Sequence, residues 1–213
     1  MADSHGQPET IAAAIAFLRG RNCRRIYHLG DICDSSSPDT AETCVRLIQE
    51  NGVFAVKGNN DHAIVANQLG RNRASISQKT YDYLRALPSV AEYQGAFFTH
   101  SRPFVRKLGL SSMIGEMSKH EASRFFERSP RGILFRGHGH SPAIMWQDEH
   151  RVVSQILTPG QTVDLSERLP CVVTCGALTD GLCMVWQPEK QHLTCLSYLP
   201  PEKRNETVGE RLN

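Results

Sequence analysis

An α/β fold with two mixed sheets flanked by helices is what this 213-residue chain predicts, on two observations. In the first half, short apolar, strand-like runs alternate with segments of helical spacing; beyond Gly132, strand-like runs separated by turns take over. Most of the early strand-like runs also end in a short polar island. Such islands collect at one edge of an open α/β sheet, beyond the carboxyl ends of its strands.

Taken in order, Ile11, Ile15 and Leu18 recur at helical spacing, so residues 10–19 read as a helix with Pro8 near its start. Residues 25–29 form a strand running into Gly30-Asp31. Ser37-Pro38-Asp39-Thr40 supplies a cap with proline at the first helical position, and Gly52 closes that helix after Asn51. Residues 53–56 are a short buried strand followed at once by a turn at Gly58. Ser77 caps a helix through Leu87 that Pro88 ends. Two strands precede and carry His100, and helical character runs from about 111 to 128. Short strands recur at 133–135, 143–146, 152–157, 171–174, 182–186 and 193–196. No repeat or linker divides the chain, so residues 1–200 are expected to form one domain and 201–213 a polar, solvated tail. Only Met1 and Ala2 precede the first island, where a strand is expected, which points to a start downstream of the natural one.

Composition narrows the class. With 40% hydrophobic and 22% charged residues the chain is an ordinary globular one, long enough to bury a core without disulfides. A formal charge of +2 gives no footprint for nucleic acid or a membrane surface. No apolar run approaches the ~20 residues that span a bilayer, and no signal peptide opens the chain. Seven cysteines without a C-x-x-C pair read as reduced core thiols, hence a cytoplasmic protein; Cys171 and Cys175 share one strand face, and Cys33 reads as a packing residue.

The islands carry the chemistry: Asp3-Ser4-His5, Gly30-Asp31-Ile32-Cys33-Asp34, Gly58-Asn59-Asn60-Asp61, His100, and Gly137-His138-Gly139-His140. Asp, Asn and His offer the oxygen and imidazole ligands that borderline transition metals take. Asp3 and His5, two apart in an extended segment, point the same way and with Asp31 and His140 could hold one ion. Asn59, His100 and His138 could hold a second, with Asp31 bridging. Two such ions ~3.5–4 Å apart activate a shared water and clamp both oxygens of an in-line phosphoryl displacement. Taken singly, each island is no more than what turns use; their order and completeness make the pattern. His28 reads as a core histidine, and His120, His150 and His192 carry no signal. Arg102 and Arg136 could meet phosphate oxygens or serve as structural arginines.

The set D-x-H, G-D-x-x-D, G-N-x-D, H and G-H-x-H resembles the calcineurin-like metallophosphoesterases, and more narrowly their small single-domain bacterial phosphodiesterases. The motifs cover Asp3 to His140, and residues 170–177 with the strands after them look like the family's closing sheet. The resemblance implies a four-layered α/β/β/α sandwich. It implies two divalent ions, Mn²⁺ first with Fe, Ni or Zn as alternatives, on Asp3, His5, Asp31 and His140 and on Asp31, Asn59, His100 and His138. Asp34 would orient a ligand or the loop. Most relatives carry a histidine after the motif asparagine; here Asn60 and Asp61 follow, and these are the candidate catalytic residues. An amide cannot act as a general acid, so phosphodiesters or activated esters with good leaving groups are expected. His62 could substitute only if the turn stays extended. The alternatives are a phosphoprotein or (di)nucleotide phosphatase, and a non-catalytic scaffold on the same fold. A small phosphate ester is the expected partner; oligomeric state is not legible.

Overall fold

A computed structural model describes residues 1–68, 75–103 and 114–199. The expected tail at 201–213, and the first part of the helical stretch expected from 111, fall outside the described residues.

The helices arise from narrow apolar stripes. In α1 (Pro8–Arg19), Ile11, Ala14, Ile15 and Leu18 are buried, and Pro8 occupies the first turn, where its missing N–H costs nothing. In α2 (Ala41–Glu50) the stripe is Ala41, Cys44, Val45 and Ile48. Pro38–Thr40 form a 3₁₀ turn leading into α2, and Ser37 makes no side-chain cap. The expected proline-started helix is therefore a short turn followed by the helix proper. Gly58-Asn59-Asn60-Asp61, read as a turn, opens a further helix, α3 (Asn59–Gln68). Ser77 caps α4 (Gln78–Ala86) by accepting from the Thr80 N–H. A reciprocal Ser118–Glu121 capping box starts α5 (Lys119–Arg128), which buries Ala122, Phe125 and Phe126.

Two sheet layers lie between the helices. β1 (Tyr27–His28) pairs in parallel with β2 (Phe54–Ala55). The larger sheet comprises β3 (Val90–Tyr93), β4 (Ala96–Thr99), β5 (Ile133–Arg136), β6 (Ala143–Asp148), β7 (Arg151–Ile156) and β9 (Cys171–Thr174), in the order β3-β4-β5-β9-β6-β7. Its β4-β5-β9 centre is parallel, with antiparallel strands on both flanks. β8 (Thr162–Asp164), which lacked a sequence signal, joins β10 (Leu182–Gln187) and β11 (His192–Ser197) in an antiparallel sheet.

The expected first strand is reduced to a single bridge at Ala2, and Asp3 and His5 have φ of 57° and 44° rather than the extended backbone expected of them. Leu29 N–H donates to Met1 O at 2.9 Å and Asp3 N–H to Gly30 O at 3.1 Å, while Ala2 bridges to Ala177 in parallel. The chain start thus stitches the end of β1 to the segment before β10. Ala2, Asp3 and Ser4 are 0% exposed, so the Asp3-Ser4-His5 island is anchored rather than frayed.

Alternation along the strands assigns the layers. In β5, Ile133 and Phe135 face the inter-sheet core, whereas Leu134 packs with Phe125 and Phe126 of α5. In β10, Met184 and Trp186 face the inter-sheet core, and Cys183 and Val185 face the helix layer of α1, α2 and α4. The result is the expected α/β/β/α sandwich. All seven cysteines are free, and Cys171 and Cys175 pack in the inter-sheet core. No helix among the described residues is long and apolar enough to cross a membrane.

Candidate metal centre

Each expected ligand lies just past the carboxyl end of a strand or bridge, which brings the islands to one edge. Asp3 and His5 follow the bridge at Ala2, Asp31 follows β1, and Asn59 opens α3 directly after β2. His100 follows β4, and His138 and His140 follow β5. His5 Nε2 and His140 Nε2 are 3.1 Å apart, and His140 Nε2 is 3.7 Å from Asp3 Oδ1. His5 Nδ1 lies 3.9 Å from Asp31 Oδ2. On the other side, Asn59 Oδ1 is 3.0 Å from His100 Nε2 and 3.1 Å from His138 Nδ1, with the two ring nitrogens 3.2 Å apart. His100 Nε2 is 3.5 Å from Asp31 Oδ1, so Asp31 stands between the two clusters.

Backbone strain is concentrated here. Asp3, His5, Asp31, His138 and His140 all have positive φ, between 44° and 66°, a conformation that costs non-glycine residues on the order of 1–3 kcal/mol each. Glycines make the approach possible. A Cβ on Gly30 would come within 2.7 Å of the Gly58 backbone and of His100 Nδ1, and one on Gly58 would overlap Asp31.

The donor set calls for a cation. His100 Nδ1 lies 2.7 Å from Leu29 O, so that nitrogen carries the proton and, in the neutral ring, Nε2 carries the lone pair. That lone pair faces Asn59 Oδ1 and Asp31 Oδ1, acceptors both. Burial pushes His100 down to about 4, which keeps the ring neutral and its lone pair free. Burial, and then the charge of Asp31, raises Asp3 well above the usual carboxylate range. Within the described residues, Asp3, His5 and His140 form one potential ion-holding group, and Asp3, Asp31 and His100 another. Electron pairs converge with too few protons between them, and a divalent cation relieves that arrangement.

The remaining candidates are held in other ways. Asn60 donates its backbone N–H to Asp31 Oδ1 at 2.8 Å and its amide Nδ2–H to Oδ2 at 2.7 Å, while its own Oδ1 accepts from Ser35 N–H and Oγ–H. Asp61 is 0% exposed and accepts from the N–H groups of Ile32, Cys33 and Gly58 at 2.9–3.1 Å. Burial and Asp31 push its carboxyl up to about 7, against the pull of those donors. It is a strut inside the loop and reaches no open space. Asp34 accepts from Ser36 N–H and Oγ–H at 2.8 and 2.7 Å; burial raises its carboxyl, but these bonds outweigh that and hold it low. His62 lies two residues past Asn60 in α3, a rotation of about 200° that points it elsewhere.

Arg102 pairs with Glu121 at 2.8 Å and donates to Glu116 O, so it is tied to the start of α5. Arg136 is 2% exposed, donates to Ser101 O and Thr174 Oγ1, and leaves Nη2 unpartnered among the described residues. Sequence reasoning missed Ser35, which fixes Asn60, and Glu116, which reaches Arg136 at 3.7 Å and His138 at 4.0 Å. The serine after a G-D-x-x-D island is a signal that could have been used; Glu116 offers none.

A two-sheet sandwich with Asp, Asn and His converging at the strand ends defines a metallophosphoesterase fold. Residues 1–179 match the calcineurin-like phosphoesterase superfamily domain, and the chain belongs to that family. It is a metal-dependent hydrolase of phosphate esters. A metallophosphoesterase from Sphaerobacter thermophilus has a similar structure, with a TM-score of 0.69 at 20% identity over 99% of this chain and 91% of that one. A candidate diadenosine tetraphosphatase follows with a TM-score of 0.60 at 16% identity, over 92% of this chain and 90% of that one. At such identities the likeness is one of fold. No curated protein sequence matches the chain.

Proposed function

We propose that the chain is a dinuclear phosphodiesterase, with Asp3, His5, Asp31 and His140 on one divalent ion and Asp31, Asn59, His100 and His138 on the other. The observation that carries it is the placement of Asp31, with one oxygen toward His5 and the other toward His100. Mixed oxygen and imidazole donors suit Mn²⁺, with Fe, Ni and Zn compatible. Ions held there would lower the pKa of a shared water and neutralise charge on the phosphoryl oxygens.

The chain's own residues do the rest. Leu29 O holds the His100 ring so that Nε2 presents its lone pair. Asn60 clamps Asp31 through both oxygens, and Asp61 fixes the loop from Gly58 to Cys33. With Asn60 occupied in this way, no side chain at that position delivers a proton to the leaving group, which favours diesters and activated esters with good leaving groups. Arg136 Nη2 is unpartnered among the described residues but buried, and Arg102 is already paired with Glu121, so both are weak candidates for meeting a phosphoryl oxygen. The free thiols support a reducing, cytoplasmic setting.

The test is metal-stripped enzyme resupplied with Mn²⁺, assayed on bis(p-nitrophenyl) phosphate beside p-nitrophenyl phosphate, with metal content measured in parallel. Two ions per chain, Mn²⁺-dependent turnover preferring the diester, and loss of both metal and turnover in Asp31→Asn are expected. A better kcat/KM on the monoester moves the reading to a phosphatase, with phosphopeptides and dinucleoside polyphosphates assayed next. A folded chain that binds metal without turning over any of these is a scaffold.

A further inference from the structure

A cavity lies apart from the proposed metal ligands. A cleft of about 400 Å³ opens between the two sheets at the amino ends of β1 and β4, within the range of small-molecule sites. Phe98 and Phe135 from the larger sheet and Leu29, Met184 and Trp186 from the other layer line it, with Phe135 and Trp186 in contact at its inner end. At the mouth stand Arg21, Arg24 and Arg25, with Glu189 the lone acidic residue of the lining. None of the three arginines is in an ion pair among the described residues. Instead Arg25 lies between the rings of Phe54 and Tyr93, at 4.3 and 4.4 Å, and Arg21 lies over Phe17 at 3.5 Å. Aromatic faces thus place Arg21 and Arg25 without neutralising them.

Deeper in, Trp186 is tilted against Phe135 at 5.3 Å, and its indole N–H is buried without an acceptor among the described residues. An apolar slot and a cationic mouth describe one kind of ligand.

We propose that this cleft binds a small amphiphilic anion, its apolar body between the sheets and its acidic head at Arg21, Arg24 and Arg25. No lining residue is a proposed metal ligand, so the site stands or falls independently of the phosphodiesterase reading. The same chemistry describes an aromatic acid and a short acyl acid, and competition separates them.

The chain has two tryptophans, so Trp146→Phe leaves Trp186 as sole reporter. Titration with 1-anilinonaphthalene-8-sulfonate is expected to quench Trp186 saturably at one site per chain. Arg21→Glu with Arg24→Glu should weaken binding about tenfold or more, as reversing two nearby charges implies. Met184→Phe, which fills the slot, should abolish binding while the protein melts as before. Asp31→Asn should leave affinity unchanged, which separates this site from the metal centre. Displacement by 1-naphthylacetate assigns an aromatic ligand, and displacement by decanoate an acyl one. No saturable quenching in the folded protein, affinity indifferent to the mouth and slot variants, or displacement by neither acid would overturn the proposal.

Discussion

The amide of Asn60 donates to one oxygen of Asp31, and the backbone N–H of the same residue to the other, while the amide oxygen is held by Ser35, so the side chain has a positioning role. Positioning and acid catalysis leave different kinetic traces. If Asn60 aided departure of the leaving group, Asn60→Ala would hurt poor leaving groups most. If it only holds Asp31, the variant should lose activity by a similar factor across aryl diesters of different leaving-group pKa. Its metal affinity should fall about 10–100-fold, as for other residues that hold a ligand from behind. A series of substituted phenyl diesters measures the first, and a metal titration the second. A loss that steepens with leaving-group pKa, at unchanged metal affinity, would return Asn60 to the proton-transfer step.

At the scale of elements, the junction of β1, β2 and α3 explains what could and could not be read in advance. The candidate ligands were legible as a set because their identities and order survive any local conformation. The helix beginning at Asn59 was not: Gly-Asn-Asn-Asp has turn composition, and what makes it helical is tertiary. Asp61 accepts from Gly58 behind it and from Ile32 and Cys33 across the loop, so α3 starts on a bond network that no local window contains. The bridge at Ala2 was hidden for a related reason, since a single residue shows no periodicity and its partner lies at Ala177. Asp61→Ala would strand three buried N–H groups at ~1 kcal/mol or more each, a loss of about 3 kcal/mol. For a chain of this size that is a fall in Tm of roughly 6–12 °C, and denaturant unfolding checks it. A change under 1 kcal/mol would mean the loop holds without its strut. Gly58→Ala tests the same junction from the other side: its methyl would overlap Asp31, so the expected first loss is metal binding, read by metal content.

Across the whole molecule, a buried histidine in β1 gives global stability a particular dependence on acid. His28 is 0% exposed. Its Nε2 lies 3.0 Å from Ser4 Oγ, and that hydroxyl donates onward to Ile32 O, so His28 donates to Ser4 and its Nδ1 has no partner among the described residues. Protonation would put a charge in the interior, add an unsatisfied N–H, and oppose the Met1 amino group, His100 and His5. Burial first, and then those charges, holds His28 well below its ordinary value of 6.5. The unfolded chain therefore binds a proton, below about pH 6.5, that the folded chain refuses, and stability falls with acid at up to about 1.4 kcal/mol per pH unit. Above pH 6.5 neither state is protonated at this site and the contribution vanishes. His28→Gln keeps an N–H for Ser4 but cannot titrate. Urea unfolding of both proteins between pH 5 and 7.5, with chelator present, should therefore give a shallower acid slope in the variant, by close to one proton. Parallel slopes would mean that the folded protein accommodates a charged His28, and that acid acts through the metal-binding edge alone.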